Sequence, residues 1–474
     1  MKFLIIKGDT IKTNDAIFKA ISHITSEKAL SRHRQFITEP QGDNPAHFFL
    51  DFDQGVLRQN ILSWRIGKGT PKIRHDDVDI LIDPGSTSIP QVAAEIYLNM
   101  SSGMIMIRAT SPKYPLILLS GSAGGVDITL KQGDSAHLYR TKTRLRFGKK
   151  PLDLLLEFPD NDITEFVAAR KKFLEQLGTM SLPPRLDAFP RDNHCVTYGF
   201  VNHCRILGSG AYGRVTSGVD TSTGNAVAIK RVTISQQSQE HRRQAIKALR
   251  NEIDITCSVD HENVLPLLQH QCEHDSPPCY QPCLDEYYLV SPQADCNLFE
   301  FFCIGPQRPS TARLTVFRDA ARGLAYLHAN GITHRDISLG NILINTSQSG
   351  EDVKIRAVIS DLGKATRKVV DDEKALGPPY TIAPEVSARQ YRCNPVDIWS
   401  IAVAILVCLL REEPNNVTIS RSFHASLLDQ VETKFHDGDI SLEELECIKF
   451  IFVYDPDERP TASEVEEVLE EASW

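Results

Sequence analysis

The chain has 474 residues, which is long for a single hydrophobic core and indicates two or three domains. Its hydrophobic content of 41% and charged content of 24% are ordinary for a globular protein, and its net charge of -9 argues against nucleic acid or anionic membranes as partners. Eleven cysteines, with no secretory signal before them, indicate reduced thiols, so we expect the cytoplasm, the nucleus or both as the location.

The chain opens with an apolar run at 3–6, which is too short for a signal peptide, and the pattern of residues 1–55 leaves their structure open. Residues 56–160 then alternate short apolar runs with turn signals such as Asp-Pro-Gly at 83–85 and Gly-Gly at 124–125. Seven runs are predicted strands: 61–67, 78–83, 92–98, 103–109, 115–119, 137–148 and 151–158. Short strands at this spacing predict an all-β sandwich.

A helix and a linker are predicted after the sandwich, within residues 161–195. The stretch EFVAARKKFLEQL, 165–177, places its large apolar side chains near helical spacing. The stretch SLPPRLDAFPRDN, 181–193, contains three prolines in a short polar run, which excludes a helix and marks a domain boundary.

From residue 196 onward, strand-like segments precede helical patterns, which predicts a small β-rich lobe followed by a helical lobe. In ILGSGAYGRV, 206–215, the glycines Gly208, Gly210 and Gly213 fit G-x-G-x-x-G, a weak signal that dinucleotide-binding folds share. Here a second strand follows the glycines, and AVAIK then places Lys230 on the next strand. A glycine turn and a lysine in this arrangement can hold phosphates together.

Four further residues complete a set suited to phosphoryl transfer. Glu252 lies on a predicted helix and can supply the counter-charge that fixes Lys230. In HRDISLGNIL, Asp336 can accept a proton from a hydroxyl group, and Asn341 can bind a metal ion. Asp361 follows an apolar strand and can hold a metal that bridges nucleotide phosphates. Three short motifs follow in order: APE at 383–385, DIWS at 397–400 and DERP at 457–460.

On these ordered motifs, residues 196–474 resemble a eukaryotic protein kinase domain. The resemblance implies an α+β chain with the bilobal kinase fold, ATP and Mg²⁺ as nucleotide and metal, and Ser/Thr hydroxyls of protein substrates as acceptors. It assigns Lys230, Glu252, Asp336 and Asn341 to catalysis, and Asn341 and Asp361 to the metal. It also implies a nucleotide site formed by these residues: Leu207, Gly208, Ser209, Gly210, Gly213, Val215, Ala228, Lys230, Pro292, Ala294 and Leu343.

The stretch YLVSPQADCNL, 288–298, resembles the strand and hinge that hold adenine in this family. The alignment makes Ser291 the residue at the back of the pocket and places the hinge from Pro292 to Ala294. The resemblance also implies that Glu385 pairs with Arg459 to brace the helical lobe.

Before the kinase-like region, RIGKG at 65–69, the strand VDILID and LKQGD followed by RLRFG resemble an FHA domain, a β-sandwich that reads phosphothreonine through its loops. Three departures make the site degenerate. Lys68 stands where the family has an arginine, so a point charge replaces a guanidinium group that grips phosphate in two places. The family's Ser-x-x-His element falls on Pro90 to Ala93, where both side chains are missing, and its Asn-Gly pair is absent from SGSAGG at 120–125. Two interpretations of the sandwich therefore stay open. It binds a phosphoprotein partner, or it serves only to dock partners or the kinase lobe. An FHA-like domain before a kinase is the layout of checkpoint kinases.

The catalytic loop departs from the Ser/Thr kinase pattern at Ser338, where lysine is usual, and Pro378 stands where that lysine's threonine partner is usual. We expect Ser338 to bond Asp336, and Pro378 to stiffen the docking loop. The favoured interpretation is an active kinase with slow turnover. A pseudokinase scaffold that binds ATP with little transfer, and a phosphopeptide-binding adaptor, are the alternatives.

The activation segment, 361–385, leaves a second choice open. Arg335, beside the catalytic Asp336, suggests a partner with negative charge. Either Thr366 is phosphorylated, or the acidic run 371–373 supplies the charge permanently; the position of the run in mid-loop favours the run.

An insertion at 267–286 carries five candidate zinc ligands, which are His270, Cys272, His274, Cys279 and Cys283. Their spacings match no standard pair-and-pair pattern, so an exposed loop with scattered thiols is the favoured interpretation.

Overall fold

The structure, a computed structural model, describes residues 2–9, 11–26, 33–38, 46–52, 56–58, 61–70, 77–83, 86–99, 102–119, 127–147, 152–159, 163–176, 195–197, 199–210, 213–234, 239–272, 286–306, 308–349, 352–371, 379–387, 391–414 and 419–472. The chain divides into two compact units. The first comprises Met1–Ser209 and Val215–Ile229, and the second comprises Gly210–Arg214 and Lys230–Trp474. The predicted linker at 181–193 lies outside the described residues.

The part of the first unit from Lys2 to Gln176 contains thirteen strands and two helices among its described residues. The strands are β1 (Lys2–Gly8), β2 (Ile37–Thr38), β3 (His47–Asp51), β4 (Val56–Arg58), β5 (Ile61–Gly67), β6 (Ile80–Leu81), β7 (Ala94–Leu98), β8 (Ile105–Ala109), β9 (Leu116–Leu119), β10 (Ile128–Leu130), β11 (Ser135–His137), β12 (Lys142–Phe147) and β13 (Leu152–Glu157). The helices are α1 (Ile11–Ser26) and α2 (Ile163–Gln176).

These strands form two sheets that share one core. One sheet has the order β10-β9-β12-β13-β1-β3-β2, and the other has the order β11-β8-β7-β5-β4, with β6 beside β5. Phe3 and Leu154 of the first sheet and Trp64 and Ile107 of the second belong to the same buried cluster. Two sheets that bury their inner faces against each other form a β-sandwich, as the strand spacing predicted.

The sandwich begins at β1, although its predicted start was residue 56. Strand β1 lies in the middle of one sheet, where it pairs antiparallel with β13 on one side and with β3 on the other. The ring of Phe3 lies 5.2 Å from that of Trp64, centroid to centroid, across the core. The described residues among 1–55 therefore supply part of the sandwich, through long-range pairing that their local pattern does not reveal.

One predicted strand is divided in the structure. The segment 137–148 ends β11 in one sheet and then forms β12 in the other. The chain changes sheets between them, with Leu138 N donating to Ile105 O and Phe158 N donating to Thr141 O. A continuous apolar alternation therefore covers two strands, because both inner faces of a sandwich require the same pattern.

The rest of the chain contains eleven strands and six helices in its described part. The strands are β14 (Cys195–Thr197), β15 (Phe200–Gly210), β16 (Gly213–Asp220), β17 (Ala226–Thr233), β18 (Gln269–Cys272), β19 (Glu286–Pro292), β20 (Cys296–Asn297), β21 (Ile342–Ser349), β22 (Asp352–Ile359), β23 (Val370–Asp371) and β24 (Tyr391–Arg392). The helices are α3 (Gln239–Cys257), α4 (Ser310–Ala329), α5 (Cys393–Leu410), α6 (Arg421–His436), α7 (Leu442–Ile451) and α8 (Ala462–Glu471).

Helix α5 forms the centre of the helical lobe. Nearly all of its side chains are buried, including Trp399, and they join a core to which α4, α7 and α8 also contribute. Among the helices searched in the described residues, α5 alone is long and apolar enough to cross a membrane, but 83% of the stretch is buried inside the protein. Its apolar sequence is accounted for by this core.

Candidate active site

The glycine turn joins two strands, as predicted. Strand β15 ends with Ser209 and Gly210, and β16 begins at Gly213. A Cβ atom at Gly213 would lie 2.1 Å from the carbonyl oxygen of Arg231, so the neighbouring strand leaves no room for a side chain. Strand β16 thus begins tightly packed against β17, the strand that carries Lys230.

The remaining residues of the predicted nucleotide site lie on strands or, for Ala294, directly after one. They are described for each unit in turn. In the first unit, Leu207 and Gly208 lie near the end of β15, Val215 lies on β16 and Ala228 on β17, and all four are half-buried. In the second unit, Pro292 ends β19, Ala294 follows it and Leu343 lies on β21. Asp295 N donates to Ile344 O at 3.0 Å, which fixes the residue after the predicted hinge against β21.

Lys230 forms the predicted ion pair with Glu252 and a further one with Asp361. Its Nζ lies 2.8 Å from Glu252 Oε1 and 2.8 Å from Asp361 Oδ1. Burial disfavours the charge of Lys230, but the two carboxylates outweigh burial and raise the pKa of Lys230. Burial also opposes the charge of Asp361, yet Lys230 prevails and lowers the pKa of Asp361. At Glu252 burial prevails and raises the pKa.

The loop that carries Asp336 is fixed by a fully buried carboxylate. Asp397, on α5, accepts the backbone N–H groups of His334 and Arg335, each at 2.7 Å, and lies 2.9 Å from His328 Nε2. Arg335 has φ of 63°, a left-handed conformation that is costly for a residue with a side chain. The bonds to Asp397 hold the loop in this conformation.

Asn341 connects the same loop to the strand that precedes Asp361. Its Nδ2 donates to the carbonyl oxygen of Asp336 at 2.8 Å, which leaves the amide oxygen as the ligating atom. Ser360 N and Oγ both donate to the carbonyl oxygen of Asn341, at 2.8 and 2.9 Å. The two predicted metal ligands are therefore tied together through the backbone.

The donor atoms at this point suit Mg²⁺. Asp361 offers a carboxylate and Asn341 an amide oxygen, and Mg²⁺ prefers hard oxygen ligands. A Cβ atom at Gly363 would lie 3.1 Å from Asp361 Oδ1 and 3.2 Å from Glu252 Oε2. Glycine at 363 thus keeps the space beside both carboxylates open.

The carboxylate of Asp336 has a partner that the sequence did not predict. Lys364 Nζ lies 2.8 Å from Asp336 Oδ1. Within the described part of the chain, Asp336 is paired with Lys364. The expected hydrogen bond from Ser338 to Asp336 is wrong, since none joins these two described residues. A lysine three residues after Asp361 was the available signal, but the contact depends on how the chain turns after Asp361.

Arg335 meets a carboxylate of the activation segment. Its guanidinium group pairs with Asp371, which is 2% exposed and also accepts from Lys368 Nζ at 3.0 Å. Thr366 is buried, and its backbone exchanges hydrogen bonds with Thr333, 2.9 Å in each direction. The contact favours the acidic run over phosphorylated Thr366; the other two residues of the run and Pro378 lie outside the described residues.

The predicted brace of the helical lobe is present. Arg459 donates from Nη1 to Glu385 Oε1 at 2.5 Å and from Nη2 to Glu385 Oε2 at 2.9 Å. The guanidinium group also lies over the ring of Trp399, 5.0 Å from its centroid. A bidentate pair of this kind is both strong and specific in geometry.

Two predictions concern segments away from this site, the FHA-like loops and the candidate zinc ligands. In the FHA-like sandwich, Lys68 Nζ donates to the carbonyl oxygen of Ser86 at 2.8 Å, so a backbone group of the segment between β6 and β7 holds this amine. The stretch at 120–125 lies outside the described residues, as do three of the five candidate zinc ligands. In what the structure does describe, no group of three or more His, Cys, Asp or Glu could hold a metal.

Known proteins resemble this chain in the sequence of its C-terminal part and in the fold of most of its length. A family profile described as "Protein kinase domain" matches residues 201–469, more than half of the chain. The crystal structure of Rad53 1-466 in complex with AMP-PNP is similar in fold, with a TM-score of 0.51 at 18% identity, over 90% of this chain and 96% of that one.

Three relatives illustrate the sequence similarity. The DNA damage response protein kinase DUN1 of Saccharomyces cerevisiae is 27% identical over 270 residues, 53% of this chain and 51% of that protein. Serine/threonine-protein kinase 33 of Mus musculus is 28% identical over 280 residues, 56% and 53% of the two chains. A probable myosin light chain kinase of Dictyostelium discoideum is 31% identical over 271 residues, 54% and 70%. The chain thus spans about half the length of the first two.

Proposed function

Because this chain belongs to the protein kinase family, we propose that it is an active kinase that transfers the γ-phosphate of ATP to Ser and Thr hydroxyls of proteins. The observation that carries the proposal is the ammonium group of Lys230, held 2.8 Å from both Glu252 and Asp361. By the resemblance to the family, these charges would face the nucleotide phosphates and the metal. Asp336 and Asn341 complete the set on an ordered loop.

In the proposed reaction, Asp336 takes the proton of the acceptor hydroxyl as its oxygen bonds to the γ-phosphorus of ATP. The bond between that phosphorus and the oxygen bridging to ADP breaks, and ADP leaves with the electron pair. The backbone bonds to Asp397 keep Asp336 in place, so little reorganisation is needed. Bound Mg²⁺, held by Asp361 and Asn341, would neutralise charge on the phosphates.

The proposal is tested with the purified full chain, Mg-ATP and peptides whose only acceptor is Ser, Thr or Tyr. We expect slow transfer to Ser and Thr peptides and its loss in Asp336→Asn, a substitution that preserves shape and removes the base. ATP binding without transfer by the unmodified protein would instead support the scaffold alternative.

We propose that the FHA-like sandwich serves for docking and does not read phosphothreonine. Support comes from Lys68, a point charge already engaged by the carbonyl oxygen of Ser86. Fluorescence titration with paired phosphothreonine and threonine peptides decides the matter, and we expect equal, weak binding. A clear preference for the phosphorylated member would establish a phosphoprotein partner.

We propose a signalling role in a DNA-damage checkpoint, in the cytoplasm, the nucleus or both. The support is the similarity to DUN1, whose name describes a DNA damage response protein kinase. The experiment is to follow activity of the tagged chain in cells before and after DNA damage. Unchanged activity would remove the pathway and leave the enzymatic proposal intact.

A further inference from the structure

Lys364 occupies an unusual position for a lysine of the activation segment. Its Nζ lies 2.8 Å from Oδ1 of Asp336, the residue proposed to take the proton. The two side chains are only 17% and 19% exposed. An exposed ion pair contributes little, whereas a pair shielded from water is held more strongly.

The backbone of Lys364 is fixed from several directions. It ends the short helical turn Leu362–Lys364 that follows Asp361, and its carbonyl oxygen accepts Arg335 Nε at 2.7 Å. The next residue, Ala365, donates its N–H to Leu362 O at 3.0 Å and accepts Asn251 Nδ2 from α3 at 2.9 Å. The ammonium group therefore reaches Asp336 from an anchored position.

The charges around the reacting groups suggest what this lysine does. Lys230 is engaged by Glu252 and Asp361, on the metal side of the site. At Ser338, close to Asp336 in sequence, the chain has a neutral hydroxyl. Lys364 is thus a cation held against the catalytic base, and fixed positive charge near the transferred phosphoryl group accelerates phosphoryl transfer.

We propose that Lys364 is a positioning residue that aims the Asp336 carboxylate at the acceptor hydroxyl and provides the positive charge that Ser338 cannot. The proposal rests on the proposed kinase activity. Lys364 neither gains nor loses a proton: the hydroxyl proton passes to Asp336, the hydroxyl oxygen bonds to the γ-phosphorus, and ADP departs. As Asp336 becomes neutral, the ammonium group is released from its partner charge and can face the transferred phosphate.

The test is steady-state kinetics of the full chain with Mg-ATP and a Ser peptide. Lys364→Met should lower kcat about 10²-fold with the KM for ATP nearly unchanged, because it removes charge near the transition state only. Lys364→Arg should retain more activity than Lys364→Met. Ser338→Lys, added to Lys364→Met, offers a second way to restore an ammonium group. The matched control is Lys354→Met, an exposed lysine on β22.

The outcomes separate this inference from the proposed function. A lower kcat with partial recovery by either charge-restoring variant supports the role of Lys364. Unchanged or higher activity in Lys364→Met overturns it, and higher activity would mean that the contact restrains the base. Loss that neither variant repairs also overturns it, since charge would not be the cause. An unmodified protein without transfer overturns the proposed function, and this inference with it.

Discussion

Lys230 shows how the surroundings of one residue determine its role. A lysine on a strand is ordinarily solvated, but here its Nζ is shared by the carboxylates of Glu252 and Asp361. The pKa of Lys230 is raised and that of Asp361 is lowered, so both remain charged across the physiological range. Opposite charges kept in place before substrate arrives need no reorganisation during the reaction.

Removing that charge should abolish measurable transfer. Lys230→Met keeps the length of the side chain but leaves Asp361 and Glu252 without their cation, and we expect a loss of at least about 10²-fold in kcat/KM. The matched control is Lys247→Met, an exposed lysine of α3, which should behave like the unmodified protein. Near-normal transfer by purified Lys230→Met would falsify the assignment of the site.

Residues differ in how far the sequence reveals their contacts. Lys230, Glu252 and Asp361 could be predicted because each lies in a motif whose spacing is itself informative. The pairing of Lys364 with Asp336 could not, because it depends on the turn after Asp361, a residue in the left-handed conformation with φ of 62°. No periodicity encodes such a conformation at a non-glycine residue.

Among the elements, the first part of the activation segment, residues 361–371, shows how a buried charge can order a stretch of chain. Asp371 lies on the two-residue strand β23, which pairs with β24. Its carboxylate is paired with Arg335, and Arg335 in turn holds the carbonyl oxygen of Lys364. The sequence suggested a negative partner for Arg335, and among the described residues Asp371, the first of the acidic run, is such a partner.

Asp371→Asn should therefore lower kcat by about tenfold or more, the kinetic equivalent of about 1.4 kcal/mol of lost ordering. Thr366→Ala should retain most of the activity, because alanine keeps the two backbone bonds to Thr333 and loses only the bond from Lys368 N to Thr366 Oγ1. The measurement is peptide phosphorylation, with the exposed Asp437→Asn as control. A dead Thr366→Ala beside a healthy Asp371→Asn would decide for phosphorylation.

Two helices of the helical lobe offer a matched test of buried charge. Glu444 and Glu464 occupy the same capping-box position, at the starts of α7 and α8. Glu444 is also buried and paired with Arg313, whose Nε lies 2.6 Å away. Glu444→Gln should destabilise the lobe by about 3 kcal/mol, since it leaves a shielded arginine without its counter-charge. Glu464→Gln should lower the calorimetric Tm clearly less than Glu444→Gln does. Equal Tm shifts in the two variants would mean that loss of the capping box alone explains the effect.

For the whole molecule, the predicted class is confirmed: an α+β chain with the bilobal protein-kinase fold preceded by an all-β, FHA-like sandwich. Within the first unit, the sandwich meets the hairpin formed by β16 and β17. Asn99 Nδ2 donates to Thr223 O at 2.8 Å, and His137 N donates to Thr221 O at 2.7 Å. The sequence could not predict this contact, because neither segment carries a motif and the residues involved are more than eighty positions apart in the chain.

Gly224, in that hairpin, tests whether sandwich and hairpin are stabilised together. It has φ of +74°, and a Cβ atom there would lie 2.5 Å from Met106 Sδ of β8. Gly133 has φ of +91° with nothing within 4 Å of its Cβ position, so Gly133→Ala imposes the backbone strain alone, about 1 kcal/mol.

We expect Gly224→Ala to accelerate hydrogen exchange in β8, β16 and β17 together, because it displaces Met106 from the cluster with Tyr97, Met104 and Val219. Gly133→Ala should affect only the strands next to its own turn. Faster exchange confined to β16 and β17 in Gly224→Ala would show that the two parts touch without sharing stability.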